Sequence, residues 1–71
     1  MRRKKYVYVI NSEEWYDSNA EMYTTLHLCR NYKVDHRIDY VVIIISGKKY
    51  DKIFENALML RNMYYEKIVV K

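Results

Sequence analysis

The sequence predicts a small α/β domain, and three observations carry that expectation. The stretch from Ile38 to Gly47, IDYVVIIISG, is unbroken β-branched or aromatic from Tyr40 to Ile45, the pattern of a strand covered on both faces. Two further β-prone runs flank it, YVYVI at Tyr6 to Ile10 and KIVVK at Lys67 to Lys71. Between the runs lie two stretches whose apolar residues recur at helical spacing. The expected order is β-α-β-α-β. Right-handed crossovers and the most apolar strand in the middle then give a three-stranded parallel sheet in order 3-2-1, with both helices on one face.

The elements follow in turn. Tyr6 to Ile10 is the first strand, and the polar segment Asn11 to Asp17 reads as the loop after it. Ser18 and Glu21 have capping-box spacing, so the first helix is expected to start at Ser18 and fade near Tyr32. Met22, Tyr23, Leu26 and Cys29 share one face of it. Lys33 to Arg37 reads as a charged connection into the central strand. Gly47 is the only glycine and suits a turn that needs positive φ. Asp51 caps a second helix over residues 51–65, whose apolar side is Ile53, Phe54, Ala57, Leu58 and Leu60.

Size and composition bound the function. With 71 residues the chain is one domain, 1–71, and so small a core ordinarily needs a partner, a metal or disulfides as well. One cysteine excludes an internal disulfide and suits a reducing compartment. The apolar content of 51% argues against intrinsic disorder, and no run is long enough to span a bilayer. A soluble, intracellular protein is the expectation. About half of the net charge of +4 is assigned to Arg2, Arg3, Lys4 and Lys5. This terminal basic run reads first as a solvated lead-in to the strand, and second as an arm for phosphate, as in nucleic acid, or for a membrane surface.

Chemistry-bearing motifs are few. There is no glycine-rich phosphate cradle and no nucleophile elbow. His27 and Cys29 resemble a metal pair, but residues two apart on a helix diverge by about 200°. Cys29 therefore reads as core and His27 as solvent-facing. His36 reads as a surface residue, and Glu13 and Glu14 as a solvated pair. No catalytic residue and no metal site is assigned.

The run YVYVIN, followed by WYDSNAEMYTTLHLCRNYKVDHRIDYVVIIIS, resembles the N-terminal segment of glycogenin-like, family 8 glycosyltransferases. Val9, Ile10 and Asn11 match that family's strand end, Tyr16 its loop tyrosine, Ala20 its helix alanine, and Tyr40 to Ser46 its second strand. The resemblance spans residues 5–71 and about the first third of the family's catalytic domain. It implies a UDP-sugar-binding half-domain, with Ile10, Asn11, Ser12 and Tyr16 around a uridine. The loop is longer than in the family, Asn19 replaces the helix-start glycine, and no Asp-x-Asp metal motif occurs. A divalent metal (Mn or Mg) would need ligands from a longer parent, and no transfer reaction is expected of these residues alone.

The 3-2-1 sheet has a second implication. With both helices on one side, the other face of the central strand is bare, and Val42, Ile43 and Ile44 are the candidate interface. The alternative function is therefore a small interaction protein that self-associates or binds a protein partner through that face.

Overall fold

A computed structural model describes residues 4–70; Arg2 and Arg3 of the basic arm, and Lys71 of the last β-prone run, lie outside the described residues. The element order is β1 (Lys5–Asn11), α1 (Ser12–Leu26), β2 (Tyr32–His36), β3 (Tyr40–Ser46), α2 (Lys48–Leu60) and β4 (Tyr65–Val70). The four strands form one sheet in order β2-β3-β1-β4, and every neighbouring pair is antiparallel. This β-α-β-β-α-β arrangement is the ferredoxin-like, split β-α-β topology. That topology hosts many unrelated functions and assigns none.

The expected three-stranded parallel sheet in order 3-2-1 is thus corrected to a four-stranded antiparallel one. The cause is Tyr32–His36, most of it expected as a connection and all of it found as a strand. The first helix delivers the chain to β2, and a tight hairpin, closed by Arg37 N–H donating to Tyr40 C=O at 2.9 Å, reverses it into β3. The central strand therefore runs against β1. Ile38, at the hairpin tip, is outside the strand and 94% exposed.

Alternation explains the core. Tyr6, Tyr8 and Ile10 of β1 and Val41, Ile43 and Ile45 of β3 are buried on one face. Trp15, Met22 and Leu26 of α1 and Phe54, Ala57 and Leu58 of α2 cover that face. Trp15 brings the start of α1 into the core, so the helix begins at Ser12 rather than at Ser18. Its cap is Asn11, whose side chain accepts from Glu13 N–H at 2.9 Å. Ser18 lies inside the helix and donates to Glu14 C=O at 2.8 Å. Cys29, past the helix end, is buried.

The second helix opens and closes on backbone conformation. Gly47 has φ 105°, and a Cβ there would meet the Tyr50 ring at 3.2 Å. At the other end Asn62 has φ 56°. Asn62 N–H donates to Met59 C=O and Met63 N–H to Leu58 C=O, both at 3.0 Å. These are the paired bonds of a Schellman motif, with the buried Met63 and Leu58 as its hydrophobic contact. The helix therefore ends at Leu60, and the expected extension to residue 65 is replaced by this turn and the start of β4.

Candidate interaction face

Both helices lie on one side of the sheet, so its other face is open. Register sets its rows. Reading across β2, β3, β1 and β4, one row is Lys33, Ile44, Val7 and Ile68, and the next is Asp35, Val42, Val9 and Glu66. Val7, Val9, Val42 and Ile44 are half-buried, whereas Ile68 and Val70 are about half exposed at 51% and 43%. The centre is therefore continuous aliphatic surface, and charged residues stand at its margins. No aromatic residue lies in either central row; Tyr40 borders the patch at one end.

Of the residues expected to form the interface, Val42 and Ile44 lie on this open face. Ile43 points the other way and is fully buried. Four further members, Val7, Val9, Ile68 and Val70, come from β1 and β4. Their alternation with Tyr6, Tyr8 and Lys67 is legible in the sequence once the strands are paired.

The residues expected around a uridine cluster at the β1–α1 junction but are engaged structurally. Ile10 is in the core. Asn11 caps α1, and the buried Ser12 hydroxyl donates to Ile38 C=O at 3.2 Å, tying the helix start to the β2–β3 hairpin. Tyr16 is exposed, its ring stacked on His36 with centroids 6.0 Å apart. The His36 Nε2 lies 3.4 Å from the Tyr23 hydroxyl. Glu13 and Glu14 occupy the first turn of α1, where negative charge is favourable to the helix dipole.

A polar cluster that sequence reasoning did not find joins α2 to β4. Lys67 pairs with Tyr8 across the sheet, so its stem lies over the aromatic rings of the core. Its Nζ is 5.2 Å from the Tyr6 centroid and 5.8 Å from that of Tyr8. Asp51 and Glu55, one turn apart on α2, meet it at 3.2 and 2.9 Å. Tyr65 hydroxyl donates to Glu55 at 2.7 Å, and Tyr8 hydroxyl to Asp51 C=O at 3.1 Å.

Desolvation acts to lower the Lys67 pKa, but the hydrogen bonds to Glu55 and Asp51 outweigh it and hold the ammonium above its ordinary range. The Lys67 hydrogen bond holds the Glu55 carboxyl below its ordinary range, helped by Tyr65. Burial raises the Tyr8 phenol. Asp51 Oδ1 and Trp15 Nε1 are buried without a hydrogen-bond partner. The pairings fix α2 against a strand that it otherwise barely covers.

Among the described residues, no group of three or more His, Cys, Asp or Glu side chains is placed to hold a metal ion. No helix among them is long and apolar enough to cross a membrane. Comparisons with protein-family models, curated proteins and solved structures find no match.

Proposed function

We propose that this chain is a small interaction module that works by burying the open face of its sheet against another protein surface. The observation that carries this reading is the unbroken aliphatic patch of Val7, Val9, Val42, Ile44, Ile68 and Val70. An apolar face rimmed by charge is the composition of a protein interface. Sheet-face binding of single-stranded nucleic acid instead relies on aromatic side chains for base stacking, and the two central rows have none.

Site-specific photocrosslinking in the expressing cell tests the reading. A photoreactive residue at position 44 should yield protein adducts of discrete mass. The same residue at Asn56, exposed on α2, should yield none. Equal labelling at both positions, or none at 44, refutes the assignment.

A further inference from the structure

The fold separates charge along the strand axis in a way the linear sequence conceals. The start of β1, the start of β2, the end of β3 and the end of β4 lie together at one end of the molecule. The start of α2 follows the end of β3 directly, and the α1–β2 connection leads to the start of β2. That end carries Lys4, Lys5, Arg30, Lys33, Lys48 and Lys49, none of them buried. The opposite end gathers Glu13, Glu14, Asp17, Asp35, Asp39 and Glu66, with Arg37 and Arg61 as the cations nearby. The open face thus runs from a basic pole to a predominantly acidic one.

From this polarity, and resting on the interaction reading above, we infer that the occupant of the open face is a second copy of this chain. The two sheets pack face to face about a two-fold axis that lies in the interface and runs across the strands. That operator sets the strands of the two copies antiparallel and lays each basic pole over the partner copy's acidic pole. It also exchanges the two central rows. Lys33 then faces Asp35 of the other copy, Ile44 faces Val42, and Val7 faces Val9. Glu66 falls over Ile68, diagonal to Lys5 of that copy, which lies one strand across and one row along.

The other simple axis, along the strands, is excluded by the same pattern. It would superimpose basic pole on basic pole and set Asp35 over Glu66, and like charges across an interface cost affinity and specificity. Asp35 bonds Arg37 at 3.1 Å yet keeps 42% of its side-chain surface exposed, so it remains available to Lys33. Aligned packing of two twisted sheets brings such rows together at about −30°.

The size is also adequate. Four strands spaced about 4.8 Å apart, seven, five, seven and six residues long in chain order, make a plate of roughly 400 Å² in projection. Side-chain relief increases the accessible area beyond this, and a face of this size suits the low end of specific interfaces, the range of reversible association.

Charge exchange between copies tests this geometry. Sedimentation equilibrium of the wild-type chain should show a monomer–dimer equilibrium. Lys33→Glu and Asp35→Lys each create two like-charged pairs per homodimer and should each weaken it about tenfold. Mixing the two variants sets opposite charges against each other again at both contacts between positions 33 and 35, so a heterodimer should form with wild-type affinity. Ile44→Asp should leave a folded monomer, its buried Trp15 emission and circular dichroism unchanged.

A wild-type chain that stays monomeric to about 1 mM overturns the second copy. So does a dimer indifferent to positions 33, 35 and 44, as pairing through the β4 edge would be. If the chain is monomeric while position 44 crosslinks to a different protein, the interaction reading stands and self-association falls. If position 44 crosslinks to nothing, the interaction reading itself falls.

Discussion

Replacing Lys67 by methionine isolates the polar cluster between α2 and β4, because methionine keeps an unbranched stem over Tyr6 and Tyr8 and removes only the ammonium. In the wild-type protein that ammonium meets Asp51 Oδ2, on a side chain 4% exposed, and Glu55 Oε1, on a side chain 25% exposed. Breaking a fully buried pair from one side costs about 3–5 kcal/mol. Lys67 keeps 27% of its side-chain surface in water, so screening reduces the expected loss to about 2–3 kcal/mol. A chain of this length has a total stability of about 4–10 kcal/mol, so the change is large. Urea unfolding followed by Trp15 emission measures it at neutral pH.

Lys67→Met combined with Asp51→Asn should cost less than the sum of the single changes, by at least about 1 kcal/mol. The acid limb supplies a second readout. Glu55 has a folded pKa below its unfolded one. Its contribution is therefore present above the usual carboxylate pKa and lost as pH falls through the lower, folded value. In Lys67→Met this acid-induced loss should shrink. A loss under about 1 kcal/mol with strict additivity would refute the buried pair as a stabilising unit.

Alkaline unfolding should reveal the same cluster from the other side. Lys67 and Tyr8 both have folded pKa values raised above their unfolded ones, so their contributions are full below about pH 10 and decline above it. Tyr8→Phe should flatten part of that decline in circular-dichroism titrations. Gly47→Ala should destabilise by about 1–3 kcal/mol in urea melts, because φ 105° is strained for alanine and its Cβ would press on Tyr50. Ile43→Asp should prevent folding while Ile44→Asp leaves the dispersion of a heteronuclear NMR spectrum intact, since adjacent residues face opposite sides of β3.

Local chemistry alone is enough to locate three of the four strands, the need for glycine at position 47 and the burial of Cys29. Strong β-branched runs and helical spacing identify such elements without knowledge of their neighbours. The start of the first helix is less legible, because Ser18 and Glu21 imitate a capping box, whereas Asn11 and the buried Trp15 set the true start. Nothing local marks Tyr32–His36 as a strand. It has one aliphatic residue, Val34, and Lys33 and Asp35 on its open side, the charged composition that protects a sheet edge.

That strand is decided by pairing with β3, and its presence reverses every direction that follows. The parallel sheet implied by a β-α-β-α-β reading, and by the glycosyltransferase resemblance, gives way for that reason. The candidate sites depend on the same pairing. Lys67 meets Asp51 and Glu55 only because β4 lies beside β1 with Lys67 opposite Tyr8. The charged poles and the aliphatic rows likewise exist only in register. Alternation along a strand is written in the sequence, but which residues stand side by side across a sheet is set by hydrogen-bonded pairing between distant segments.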